Sequence, residues 1–279
     1  MKMADLTPEK LEELREASRS RLKADFTREP EDFKSDQQQM LPQPPLVKEP
    51  VSDVRIDLPM DFKPLGLKKD LLSVIYSRVS SRVYTDEPIT LLELSFLLWA
   101  SQGIKGIRGK KYATLRTIPC GGARHPFETY LLVRKAEGLE PGRYHYLPLL
   151  NQLEYLGPVE EIDDTVNESL CGQKWAAKSA VVFYWSYVPY RNEWRYGYFD
   201  HHISLIDMGH VGEALYLACS AVGLGTCGIG AYEQKLCDEL FGLDGKEEFI
   251  VYTETVGTIS AEDEGAEKDF YSFVEEAGW

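Results

Sequence analysis

The segment "TLLELSFLLWASQG", Thr90 to Gly103, constrains this chain more than any other stretch. Its first four residues, Thr90-Leu91-Leu92-Glu93, have the pattern of a capping box. The threonine hydroxyl takes the N–H three residues on, and the glutamate carboxylate reaches back to the threonine N–H. A helix is therefore predicted to open there, with Gly103 as the residue that stops it. Between those ends the sequence is apolar nearly all round, so no side of the helix suits water. Such a helix must be surrounded. With 279 residues, 43% of them apolar, the chain can build a body around it as one large domain or two small ones.

The rest of the pattern says what that body contains. A helix is predicted over Lys68–Val79, and "ETYLLVRK" alternates as a strand. "GRYHYL" and "QLEYLG" read as a β-hairpin, and "AVVFYWSY" as a further strand rich in β-branched and aromatic residues. Ile203–Val222 has helical periodicity and ends on Gly223; "EQKLCDELFG" is a short helix and "EFIVYTETVG" a last strand. There is no internal repeat. The mixture is α+β, with hairpins and helices on one mixed, mainly antiparallel sheet rather than regular βαβ alternation. The first 50 or so residues differ in character. A short helix is predicted to start at Thr7-Pro8, threonine as N-cap and proline at the first helical position. "SDQQQMLPQPPLVKEP" is then too polar and proline-rich to pack by itself, so it reads as an arm that wraps a neighbour, such as a partner subunit. The division expected is an arm over 1–57 and a folded domain over 58–279.

A formal charge of −14 argues against nucleic acid and anionic membrane as partners, because the overall field repels polyanions. No apolar run approaches the roughly 20 residues needed to span a bilayer. The N-terminus alternates charge and lacks the apolar core of a secretory signal. Five cysteines, odd in number and never spaced C-x-x-C, suit reduced thiols better than a disulfide framework or a zinc site. The compartment expected is the cytoplasm.

Three patches carry candidate chemistry. "YSRVSSRVY" sets Arg78, Ser80 and Arg82 at alternate positions, so an extended chain would turn all three to one side as an anion clamp. "PCGGARHP" offers a bare main chain at Pro119, Cys120, Gly121 and Gly122, pointed by Arg124. "GLGTCG", Gly223–Gly228, matches G-x-G-x-x-G letter for letter, but a long helix precedes it and an apolar run follows. That inverts the strand-then-helix context a dinucleotide fingerprint needs. Its glycines still matter: Gly223 can cap the helix, while Gly228 and Gly230 leave main-chain N–H groups open to a ligand.

Taken in order, "SRVSSRVYTDEPITLLELSFLLWASQGI", "PCGGARHPFETYLLV" and "DMGHVGEALYLACSAVGLGTCGIGAY" resemble the nitroreductase family of FMN flavoproteins. The closer likeness is to its SagB-type branch, which includes azoline dehydrogenases. The resemblance covers about Leu71–Gly257. It implies an α+β sandwich forming a homodimer, with FMN in clefts between subunits. It implies FMN contacts by Arg78, Ser80 and Arg82. The Pro119–Gly122 loop of the other subunit would lie against the isoalloxazine, with Arg124 orienting flavin or substrate. Main-chain N–H groups of Ile229, Gly230 and Ala231 would face flavin N5 and O4.

Four departures from the family pattern stand out. Cys120 replaces a usual serine, and Glu213-Ala214 a common Gln-Asn pair. The late basic residues for phosphate are missing, with only Lys268 in "TISAEDEGAEKDF". Where azoline dehydrogenases resemble one another in a lysine–tyrosine pair, this chain has Arg195-Tyr196. A guanidinium stays protonated and makes a poor base, which speaks against azoline oxidation. The function expected is transfer of electrons from NAD(P)H through FMN to a small electron-poor acceptor: a nitro compound, quinone or activated alkene. Arg195 and Tyr196 are the candidate catalytic residues on the substrate side, and no metal is expected. The rivals are a non-catalytic flavin carrier and a hydrolase with metal on His202, His210 and Asp207, whose spacing lacks the i, i+4 histidine pair.

Overall fold

Strand β7 (Val181–Tyr187) is buried at every position, so the sheet it belongs to is covered on both faces. The computed structural model describes residues 7–23, 33–68 and 70–263. Its strands are β1 (Arg55–Asp57), β2 (Ile104–Arg108), β3 (Ala113–Arg116), β4 (Phe127–Val133), β5 (Gly142–Leu147), β6 (Gln152–Gly157), β7, β8 (Leu224–Ile229) and β9 (Phe249–Thr258). Among the described residues, all but β2 and β3 join one antiparallel sheet in the order β1-β6-β5-β4-β7-β9-β8. The helices are α1 (Pro8–Arg21), α2 (Leu71–Ser77), α3 (Leu91–Gln102), α4 (Ile162–Ser169), α5 (Pro189–Tyr196), α6 (Asp200–Val222) and α7 (Gln234–Leu240). The architecture is the expected α+β one.

Side chains alternate across a strand, so Val181, Phe183 and Trp185 feed one core while Val182 and Tyr184 feed the other. The first core is closed by Leu94, Leu97 and Leu98 of α3 and by Val211 and Leu215 of α6. Leu94, Leu97 and Leu98 are fully buried, each worth about 1.5–3 kcal/mol. The predicted central helix is therefore α3, and both halves of its capping box form. Val166 of α4, Cys237 of α7 and Phe241 cover the opposite face.

Some expectations need correction. The helix predicted over Lys68–Val79 is shorter, because Asp70 caps it, its carboxylate accepting the Ser73 N–H at 2.9 Å. It ends at Ser77, and Arg78 is already extended. The helix predicted from Ile203 begins three residues earlier, at Asp200. The run read as a fingerprint decoy is itself β8, led in by Gly223 in the left-handed conformation. Helix α5 and the β2–β3 hairpin were not foreseen, although Pro189 at the first helical position is a usable start signal.

The arm, for its part, lies on its own chain over residues 33–57. The Val51 and Ser52 N–H groups donate to Glu154 Oε2 at 2.7 and 2.8 Å, and Trp194 Nε1 donates to the Leu41 carbonyl at 3.0 Å. Strand β1 then pairs with β6, so the boundary expected after residue 57 follows an edge strand of the sheet. Among the described residues, no helix is long and apolar enough to cross a membrane.

Candidate functional site

After α2 the chain runs beside β8, the Ser81 N–H donating to the Thr226 carbonyl at 2.8 Å. That extension puts Arg78, Ser80 and Arg82 at alternate positions, all half-buried. The Ser80 hydroxyl lies 3.0 Å from the Tyr216 hydroxyl, and the Arg78 guanidinium sits 5.4 Å from the centre of the Tyr216 ring. Arg82 stacks 5.7 Å over Trp175 and donates to the Ser80 carbonyl at 3.3 Å. Arg78 forms no ion pair with a carboxylate of the described residues.

Tyr216, on α6, was not singled out from the sequence. Its hydroxyl accepts the Gly228 N–H at 2.7 Å, which corrects the expectation that this N–H is open to a ligand. The open donors come later. Ile229 is the buried last residue of β8, its carbonyl accepting from Thr253 Oγ1 at 3.0 Å. Gly230 and Ala231 follow it, exposed, and their N–H groups have no acceptor among the described residues. Across the ladder from Gly228 stands Glu254, fully buried, with Oε1 accepting from Thr226 Oγ1 at 2.8 Å and Oε2 unpartnered. Burial pushes this carboxyl well above the usual range.

The second cluster is the quoted loop before β4. Gly121 opens a single tight turn, and Gly122 has φ +56°, a region that favours glycine. The Asp207 carboxylate of α6 accepts the Gly121 N–H at 2.9 Å and the Cys120 thiol at 3.1 Å. A Cβ at Gly121 would stand 2.5 Å from Ile203 Cγ2, and one at Gly122 would stand 2.6 Å from Arg195 Cδ and 2.7 Å from the Tyr196 hydroxyl. The loop is bare on this side because α5 and α6 of its own chain press on it. Burial first, then Asp207, push the Cys120 thiol far up, so it stays neutral. Arg124 is turned inward, donating to the Gly122 carbonyl at 3.1 Å and the Tyr112 carbonyl at 2.8 Å. Arg195 donates to the Tyr112 hydroxyl at 2.8 Å and to Gln37 Oε1 at 3.1 Å.

Within one chain the sequence-predicted residues form two groups. Arg78, Ser80 and Arg82 meet the end of β8 through Tyr216; Cys120–Gly122, Arg124, Arg195 and Tyr196 meet near the start of α6 at Asp207, with Pro119 exposed beside them. Asp207 and Tyr216 are nine residues apart on one helix, about 14 Å at 1.5 Å per residue. Asp207, the carboxylate of the rival metal set, is taken by the loop, with His210 Nδ1 at 3.8 Å. Lys268 lies outside the described residues. The donors of the first group (a guanidinium, a hydroxyl and open N–H groups around a glycine with clear space) suit a phosphorylated, hydrogen-bond-accepting ring system such as FMN.

Comparison with known proteins places these residues in a wider setting. Residues 75–258 match the model of the nitroreductase family. A curated Methanocaldococcus jannaschii protein described as a nitroreductase is 32% identical over 166 residues, 58% of this chain and 79% of the relative. A Ralstonia eutropha JMP134 crystal structure, also described as a nitroreductase, matches with a TM-score of 0.61 at 23% identity, over 79% of this chain and 95% of the other. The E. coli microcin synthetase McbBCD complex, with truncated pro-MccB17 bound, contains a chain matching with a TM-score of 0.57 at 17% identity, over 91% and 95%. These two structures share the fold.

Proposed function

The chain belongs to the nitroreductase family of oxidoreductases, and on that premise we propose that it is an FMN-dependent NAD(P)H oxidoreductase acting on a small electron-poor acceptor. The acceptor class is a nitro compound, quinone or activated alkene. The observation that carries the reading is the meeting of Arg78 and Ser80 with the Gly228 main chain through Tyr216, two residues before the open N–H of Gly230. When bound, FMN supplies the hydride chemistry.

In this reading Arg78 and Arg82 hold the phosphate, and Ser80 holds the ribityl chain or the pyrimidine edge. The main chain of Ile229, Gly230 and Ala231 faces the ring edge, where fixed dipoles favour negative charge. A homodimer answers the 14 Å separation of the two groups: the first group of one copy faces the Pro119–Gly122 loop of the second. Leu71, Leu72 and Ile75 of α2 and Leu205 and Ile206 of α6 are exposed apolar side chains suited to that contact. Arg195 and Tyr196 then border the substrate. Arg195 donates to Tyr112 and Gln37 and remains a guanidinium, which does not serve as a base for azoline oxidation. Free, scattered thiols favour a cytoplasmic setting.

The test is the visible spectrum of freshly purified protein, mass spectrometry of the released chromophore, and anaerobic titration with NADH and NADPH. The expected result is a yellow protein carrying FMN that bleaches with one or both nicotinamides. Arg78→Ala should weaken FMN binding roughly ten- to hundredfold, the loss of one charge-assisted contact. A colourless protein that takes up no added FMN ends the reading.

A further inference from the structure

Tyr112 closes the turn between β2 and β3, and its phenol oxygen receives two hydrogen bonds. Arg195 Nη1 lies at 2.8 Å and Gln37 Nε2 at 2.9 Å. The direction of both follows from Arg195, which has only donors. The same nitrogen is 3.1 Å from the other atom of the Gln37 amide. That atom must be the carbonyl oxygen, so the amide NH2 faces Tyr112. A hydroxyl that accepts twice still has its own hydrogen to give, and no described residue accepts it. The Arg124 guanidinium lies 4.9 Å from the centre of the ring.

Two cations therefore flank a phenol whose hydrogen is uncommitted. Arg195 comes from α5 and Arg124 from the loop before β4; Gln37, from the arm, is neutral, and Lys110 and Lys111 on the phenol's own turn are exposed. Burial raises the cost of ionising the phenol, but the Gln37 bond and the two guanidiniums outweigh it, and its pKa lies below the ordinary tyrosine value. Tyr112 also lines an open groove of about 530 Å³ with Pro44, Pro45, Val47 and Ile107. Through Arg195 it is one hydrogen bond from the side chain that presses on Gly122.

We propose that Tyr112 is the proton donor that completes acceptor reduction. An acceptor that has gained a hydride, drawn ultimately from a dihydronicotinamide, carries a negative charge. The O–H bond of Tyr112 breaks as that hydrogen bonds to the acceptor's anionic atom. Arg195 and Arg124 hold the resulting phenolate until water returns a proton. Hydride and proton together make the two-electron reduction balance. The assignment rests on the reductase reading above.

Two measurements test it. Near-ultraviolet titration of tyrosinate in the purified protein should show a phenol ionising below about 10, absent from Tyr112→Phe. Tyr130, Tyr144 and Tyr187 titrate later because burial pushes them up. In flavin-loaded protein, Tyr112→Phe should slow acceptor-dependent reoxidation roughly a hundredfold and leave reduction by nicotinamide unchanged. The wild-type reoxidation rate should fall at alkaline pH as the donor ionises, and the variant's should be flat. Identical titration curves, or a working flavoprotein in which Tyr112→Phe keeps both the rate and its alkaline limb, overturn the role of Tyr112 alone. A protein that takes up no FMN fails the underlying reading instead, whatever its phenol titration.

Discussion

A Cβ placed on Gly228 would overlap the Tyr252 hydroxyl, while the Gly228 N–H is held by Tyr216. The residue is thus fixed by two tyrosines, one steric and one hydrogen-bonding, 24 and 12 positions away. Gly228→Ala should destabilise the protein by about 1–3 kcal/mol through overpacking. Adding Tyr252→Phe removes the oxygen that the methyl meets and should recover part of that loss. Urea unfolding of the two single variants and the double measures the coupling, and strictly additive effects would place the strain elsewhere. Sequence reading found Gly228 as a bare main-chain position but assigned its N–H to a ligand. Nothing local to "GLGTCG" could reveal that Tyr216 already occupies it.

At the scale of elements, the best-read pieces are those whose ends are set by neighbours three or four residues off. Helix α3 is the clearest: the Glu93 N–H donates to Thr90 Oγ1 at 3.1 Å and the Thr90 N–H to Glu93 Oε2 at 2.7 Å. Thr90→Ala should cost about 1 kcal/mol, and Thr90→Ser should restore most of it, as read from unfolding midpoints. Helix α2 is shorter than its sequence pattern predicts for the same physical reason. Asp70 is a strong cap, and it stops the pattern from extending back to Lys68. The β2–β3 hairpin carries little sequence signal because its strands are only 5 and 4 residues, with few apolar positions to show a period. Yet it supplies Tyr112.

For the molecule as a whole, the arm is joined to the sheet through a buried ionic network. His145 of β5 sits between two carboxylates, Nδ1 2.7 Å from Glu154 and Nε2 3.1 Å from Glu128. Glu154 also takes the arm's Val51 and Ser52 N–H groups, and Glu128 takes that of Lys48. Both ring nitrogens face acceptors, which requires the doubly protonated imidazolium. Burial opposes that charge, but the two carboxylates outweigh it and raise the histidine's pKa, while Glu154 is held below its ordinary value. A raised folded-state value means the stabilisation is complete below about 6.5 and fades as pH climbs through the folded pKa. The carboxylate contribution is complete above about 4.3 and is lost as pH falls through its own lowered value. His145→Gln should therefore cost roughly 3–5 kcal/mol between those limits, with the gap in melting temperature closing at alkaline pH. A gap that widens with rising pH would mean that the ring is neutral between the two carboxylates.

The sequence by itself determined the α+β class, the buried central helix, the β5–β6 hairpin, strands β4, β7 and β9, and the residue types at both halves of the candidate site. Each of those follows from caps, turns and apolar period, forces that act within a few residues. Tertiary structure decided the rest. It set the two groups of predicted residues some 14 Å apart along α6 and closed Gly228 with Tyr216. It laid the arm on its own chain and set Tyr112 between Arg124 and Arg195. Those outcomes depend on sheet register and on which helix face packs inward, so they join side chains up to 200 positions apart.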